Sequence, residues 1–181
     1  MELTESTVAD AQSGSSDAVS TIYRVLAPKV LGYLRARGVE DPEGLTNEVF
    51  LAVIPRLERL QGGVAGLRTL VFSVAHARYV DETRKRARRP GHTAYDQEYD
   101  ERTTPSAETA ALEATGSAHM IGLLDQLGHD QRSVISLRIL GDLSLDQTAA
   151  VLGKTTGAVK QLQRRGLENL RSLMTRDEER G

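Results

Sequence analysis

Between Gly141 and Leu170 the chain reads GDLSLDQTAAVLGKTTGAVKQLQRRGLENL, and this stretch restricts the possible folds more than any other. Leu145, Ala149 and Leu152 recur at three- and four-residue spacing, which lays an apolar stripe along one short helix. Gly153 can adopt the positive φ that ends such a helix. Thr155 or Thr156 can cap the next, whose Val159 and Leu162 turn inward, with Leu167 and Leu170 continuing the apolar side. Two short helices meeting at an angle across a tight turn form a helix-turn-helix. The remaining face of the second helix carries Lys160, Gln161, Gln163, Arg164 and Arg165, donors suited to phosphates and base edges in the major groove. A basic helix that merely faces solvent has the same composition. The Leu-Ala-Ala-Leu-Gly packing pattern followed by a compact cap shifts the balance toward DNA reading.

With 181 residues the chain can hold one medium domain or two small ones. It has no tryptophan and few aromatic residues, so its cores must come from Leu, Val, Ile and Ala, which suits small helical bundles. Cysteine is absent, which removes disulfides and thiolate chemistry. No apolar run is long enough to span a bilayer, and the first residues lack the basic and hydrophobic parts of a signal peptide. A cytoplasmic protein without membrane insertion is expected.

The net charge of -2 conceals strong segregation. Residues 1–20 carry four acids and no base, residues 21–91 thirteen Lys/Arg against seven acids, and residues 92–115 one Arg against six acids. Basic modules alternating with acidic connectors suit a nucleic-acid protein with internal electrostatic organisation. The near-neutral total argues against coating DNA nonspecifically and favours help from a partner.

Read in order, the pattern predicts an all-α chain of two small helical domains joined by a flexible acidic linker. Residues 1–18, polar and without an apolar period, read as a disordered acidic tail. The first domain, 19–91, opens with a helix from about Asp17 or Ser20 to Arg37, with Pro28 as a point of kinking. Asp41-Pro42 is a cap and first-turn pair for the next helix. That helix turns Leu45, Val49 and Val53 inward and leaves Glu43, Asn47 and Glu48 exposed. A long helix to about Arg86 then packs Leu67, Leu70, Val71, Val74 and Ala75. It ends in Arg84, Lys85, Arg86, Arg88 and Arg89, more cations than a helix terminus needs for its dipole. Phe72, His76 and Tyr79 lie one or two turns upstream, so this face can bind phosphates and stack on exposed bases. Residues 92–115 form the linker. The second domain, 116–175, has helices ending near Gly128, one capped by Asp130, the helix capped by Ser144, and the second helix of the motif; the last ten residues are expected to fray.

Enzyme signatures are lacking. The four histidines, at 76, 92, 119 and 129, show no metal-ligand spacing, and GKTT at 153–156 has no upstream glycines and follows no strand. No cofactor, metal or catalytic residue is expected.

Taken together, the two halves resemble the group IV, or extracytoplasmic-function, sigma factors of bacterial RNA polymerase along nearly the full chain. DPEGLTNEVFLAVIPRL at 41–57 is similar to the family segment that docks on the clamp helices of the large polymerase subunit. LRTLVFSVAHARYVDETRKRARR at 67–89 is similar to the promoter-melting helix, and DQRSVISLRILGDLSLDQTAAVLGKTTGAVKQLQRRGLENLR at 130–171 to region 4. The resemblance implies a core-polymerase-binding element holding Glu43, Asn47, Glu48 and Phe50, with Phe50 as its packing base. It implies a -10 element face of His76, Ala77, Arg78, Tyr79, Asp81, Arg84, Lys85, Arg86 and Arg88. A -35 face of Thr155, Thr156, Lys160, Gln161, Gln163, Arg164 and Arg165 is implied in the same way. It also implies core polymerase (clamp helices and flap), promoter DNA and an anti-sigma factor as partners, with the acidic linker threading near the polymerase active centre. Leu70 stands where the family commonly has tryptophan, His76-Ala77 where it has Arg-Asn, and Gly128 where it has proline; an unusual promoter preference is the expected consequence. The alternative is a two-domain helix-turn-helix repressor that binds duplex DNA without polymerase.

Overall fold

The computed structural model describes residues 2–88 and 117–178, and the described residues are helical throughout, with no strand. The linker expected at 92–115 lies outside them. The elements are α1 (Glu5–Gln12), α2 (Ser16–Arg35), α3 (Pro42–Val53), a 3-10 turn (Ile54–Arg59), α4 (Gly63–Ala87), α5 (Ser117–Asp125), α6 (His129–Ile139), α7 (Leu145–Leu152) and α8 (Thr156–Glu178).

Residues 5–12, expected to be disordered, form α1. Thr4 caps it by accepting from Thr7 N–H, and Leu3, Val8 and Ala11 are buried against the first half. Two side-chain bonds tie it to the chain about fifty residues on. The Glu5 carboxylate accepts from Val64 N–H at the start of α4, where the helix dipole favours an anion, and Gln12 donates to Leu60 O. Packing therefore outweighs the polar composition that suggested a loose tail.

Ser15, not a later residue, caps α2, and the helix runs through Pro28 to Arg35. Asp41 caps α3 through Gly44 N–H with Pro42 in the first turn, as its sequence predicts. Pro55 falls where α3 tightens into the 3-10 turn. Leu26, Val30, Tyr33, Leu34, Val49, Val53, Leu67, Val71, Phe72 and Ala75 are all fully buried, so α2, α3 and α4 share one core. Tyr33 and Phe72 meet edge to face, 5.9 Å between ring centres, an arrangement favoured by their quadrupoles.

In the second half three expectations change. Gly128, not Asp130, holds the cap position of α6, and the Asp130 carboxylate instead accepts from Lys154 at 3.0 Å, which keeps its pKa below the usual carboxylate range. Gly128 sits at φ -57, the angle a proline ring would impose, so the departure from proline does not alter the helix entry. Finally, α8 continues to Glu178, through the described part of the last ten residues, which were expected to fray. Leu167 is exposed rather than inward; Gly166 takes its place and brings α8 against Ile135 of α6.

The two halves are in contact. Leu137 and Leu143 join the core of the first half, and Ala36 at the end of α2 is fully buried among Leu123, Leu124, Leu127, Ile135 and Leu170. α7 lies along α4, where Gln147 donates to Ala65 O at 2.9 Å and Arg68 pairs with Asp142.

Candidate nucleic-acid interface

The helix-turn-helix is built as its sequence requires. Ser144 accepts from Gln147 N–H while the Gln147 side chain accepts from Ser144 N–H, a reciprocal capping box at the start of α7. Gly153 ends α7 at φ +61. Thr155 caps α8 by accepting from Ala158 N–H, and Thr156 donates to Asp146 of α7 at 2.9 Å, which ties the two helices across the turn. Val134, Ala149 and Val159 form the buried centre.

That frame holds the seven residues of the expected -35 face in unequal states. Lys160, Gln161 and Arg165 are exposed and bonded to no side chain among the described residues. Arg164 is exposed but sits 3.7 Å from Glu168 one turn on, a pairing too weak to immobilise it. Thr155 and Thr156 are engaged in the turn. Gln163 is half-buried and its Oε1 accepts from Arg138 Nε at 2.9 Å, while another Arg138 N–H donates to Leu143 O. This bond holds the Gln163 carbonyl toward Arg138 and leaves its amide N–H groups as donors for an outward contact. Arg138, whose part the sequence did not reveal, lies 25 residues from Gln163.

On α4 the expected -10 face is also divided. Ala77, Asp81, Arg84, Lys85 and Arg88 are exposed, and the last three belong to the basic end of the helix. Arg86 reaches Glu40 at 3.6 Å, and Arg78 lies 3.8 Å from Glu48. His76 and Tyr79 are different. His76 Nδ1 is bonded to the Tyr33 hydroxyl at 2.9 Å, and burial first, then the Arg37 cation and His129, pushes its pKa down to about 4, so it is neutral near pH 7. The same burial raises the Tyr33 hydroxyl above its ordinary value. Tyr79 is 8% exposed, with the Arg37 guanidinium 4.3 Å from its ring centre on one side and the His129 ring stacked at 6.4 Å.

The element expected to dock on polymerase lies on α3. Phe50 is 2% exposed and serves as packing, as expected, with its ring edge-on to Tyr23 at 4.8 Å. Glu43 pairs with Arg35, Asn47 Oδ1 accepts from the Tyr23 hydroxyl at 2.9 Å, and Glu48 faces solvent beside Arg78. Beside them runs an open groove of about 400 Å³ lined by Tyr23, Ala27, Pro28, Leu31, Thr46 and Asn47. Leu51, also on α3, is 73% exposed, and Ile54 just beyond the helix is partly exposed as well. Neither stands out in the sequence as a site residue; Leu51 falls off the Leu45, Val49, Val53 stripe, which is the available signal.

Among the described residues no group of His, Asp or Glu is placed to hold a metal ion, and no helix is long and apolar enough to cross a membrane. Residues 123–172 match the family model for sigma-70, region 4. The chain is 32% identical over 178 residues to the ECF RNA polymerase sigma factor SigD of Mycobacterium tuberculosis, covering 94% of this chain and 83% of that protein. It is 32% identical over 173 residues to the ECF RNA polymerase sigma factor ShbA of Streptomyces griseus, covering 90% and 91%. The solved structure of CnrH, determined in complex with the cytosolic domain of CnrY, shares the fold with a TM-score of 0.65 at 21% identity, over 96% of this chain and 97% of that one.

Proposed function

Because the chain belongs to the extracytoplasmic-function sigma factors of the sigma-70 family, we propose that it directs core RNA polymerase to promoters by reading a -35 element with α8 and a -10 element with α4. The observation that carries this reading is the coexistence, in one chain, of a capped helix-turn-helix presenting free Lys160, Gln161 and Arg165, and a separate helix ending in exposed Arg84, Lys85 and Arg88. Of the unbonded side chains on this face, Lys160 and Gln161 lie nearest the start of α8, the part of a recognition helix that meets base edges, while Arg164 and Arg165 fix its register through phosphates. On α4 the cations hold the backbone of the melted strand, and stacking against the helix face offsets the cost of unstacking bases.

Neither surface is extensive enough to bind a promoter tightly alone, so polymerase supplies the missing contacts and the spacing. Once one element is bound, the second contact is intramolecular and gains by effective concentration. Docking through α3 uses Glu43, Asn47 and Glu48 around the Tyr23-lined groove, with Phe50 supporting the surface from beneath. The protein contributes recognition, and the nucleotidyl chemistry remains with polymerase. This role places it in the cytoplasm, and family membership makes an anti-sigma factor its regulator.

Transcription from a genomic promoter pool, with purified core polymerase and with or without this chain, tests the reading. Initiation at discrete sites only when both are present is the expected result. Tight binding to a palindromic duplex by the chain alone, with no initiation when core is added, would overturn it in favour of a repressor.

A further inference from the structure

One residue on the α8 face is bonded to the interior of the motif. Gln163 is half-buried, and its Oε1 accepts from Arg138 Nε at 2.9 Å. A guanidinium carries donors and no acceptor, so this bond fixes the orientation of the amide: its oxygen meets Arg138, and its nitrogen is turned away. Gln163 Nε2 has no partner among the described residues and is not enclosed. It opens on the shallow surface that Gln163 shares with Lys160, Gln161 and Arg164. Arg138 is itself held in place. A second N–H donates to Leu143 O, the carbonyl just before the Ser144 cap of α7. Both partners are amide oxygens, and no carboxylate pairs with Arg138 among the described residues. Arg138 therefore joins the entry of α7 to the middle of α8, as part of the frame of the helix-turn-helix and not of its exposed face.

This hold changes what Gln163 can recognise. A free glutamine presents an acceptor and a donor side by side and pairs bidentately with adenine, whose major-groove edge carries the N6 donor and the N7 acceptor. With its oxygen drawn to Arg138, Gln163 presents the two hydrogens of Nε2. Guanine is the base whose major-groove edge carries two acceptors, N7 and O6. Thymine has O4 alone beside its methyl group, and cytosine offers a donor. We propose that Arg138 is a specificity-determining positioning residue. By holding the Gln163 carbonyl it makes Gln163 a donor to guanine at one position of the upstream element, in place of the adenine that an unheld glutamine would select. The inference rests on the reading of α8 as the -35 face. Arg138 touches no DNA in this scheme and acts only through Gln163.

The test takes a promoter that this chain activates and randomises its upstream block. Core polymerase carrying the natural chain or a variant selects from this duplex pool, and the bound fraction is sequenced. The natural chain should favour guanine over adenine about tenfold at one position, the discrimination of one good side-chain pairing. Gln163→Glu keeps an oxygen at Arg138 and replaces the outward N–H groups by a second oxygen. Preference at that position should pass to cytosine or adenine, whose edges carry donors, while the other positions keep theirs. Arg138→Met removes the hold at similar volume. The ratio of guanine to adenine should then fall about tenfold at the same position and at no other. A thermal scan by circular dichroism shows whether this variant folds; if it does not, Gln163→Glu decides alone. A preference profile that Gln163→Glu leaves unchanged, whatever the loss of affinity, makes Gln163 a phosphate contact or a packing residue and refutes the inference. So does adenine at the position Gln163 governs in the natural chain, or an unchanged guanine preference in folded Arg138→Met. If the natural chain with core selects no sequence in the upstream block, the reading of α8 has failed, and the inference falls with it.

Discussion

Two glycines flank α7, the scaffold helix of the helix-turn-helix, and the structure requires them for opposite reasons. At Gly153 the backbone is left-handed, φ +61, yet a Cβ there would meet nothing within 4 Å. At Gly141 the φ is unremarkable, but a Cβ would lie 2.6 Å from Leu137 O and 3.3 Å from both Leu143 Cγ and Phe72 Cε2. Gly153→Ala therefore pays only for the left-handed conformation, about 1 kcal/mol after the gain from a less flexible unfolded chain. Gly153→Asn should recover most of that, since Asn tolerates the region. Gly141→Ala presses on a backbone carbonyl that cannot rotate away, at a cost of about 2 kcal/mol or more, and Gly141→Asn should be no better. In a chain of this size each kcal/mol moves the melting temperature by about 2–4 °C. Urea unfolding followed by circular dichroism, with thermal scans, measures all four variants. Rescue by Asn at 141, or an Asn at 153 as costly as Ala, would show that space and φ have been assigned to the wrong positions.

Three further outcomes follow from the same geometry. Removing residues 2–12 strips away Leu3 and Val8, each worth about 1.5–3 kcal/mol when buried, so the unfolding midpoint should fall clearly; an unchanged midpoint would return α1 to the status of a loose tail. Arg165→Ala should flatten the dependence of log affinity on log salt by about one unit for promoter DNA bound to the complete polymerase complex, and an unaltered slope would remove Arg165 from the phosphate contacts. His76, held at about 4 in the folded state against 6.5 when free, favours the fold fully above pH 6.5, and that stability is lost as pH falls toward 4 because the unfolded chain binds the proton first. Melting temperatures across that window should therefore drop less steeply in His76→Gln, and parallel curves would contradict the assignment.

How much of this could be read in the sequence depended on the range of each interaction. The helix-turn-helix was legible because its determinants are local: Ser144 and Gln147 are three residues apart, and Gly153 and Thr155 mark consecutive ends. The Leu45, Val49, Val53 and Leu67, Val71, Ala75 stripes were legible from period alone. By contrast, α1 is polar, and its place depends on Glu5 reaching Val64, so nothing within its own residues announces it. The likeness of Gln163 to its neighbours Lys160 and Gln161 hid its bond to Arg138 on another helix. Arg37 looked like one more terminal cation of α2. Only the fold brings His129 to it from 92 residues away and buries its charge. Likewise Tyr79 has the right spacing for an exposed stacking residue and the wrong neighbour.

The most direct test of the account is a nuclease footprint of a promoter that this chain activates, with core polymerase and either the natural chain or a Lys160→Ala, Gln161→Ala variant. The natural chain should protect an upstream and a downstream block, and only with core present. The variant should lose the upstream block selectively, with strand melting at the downstream block restored when the protein is supplied in excess. Loss of both blocks in parallel, or protection by the chain without polymerase, would contradict the division of promoter reading between α8 and α4.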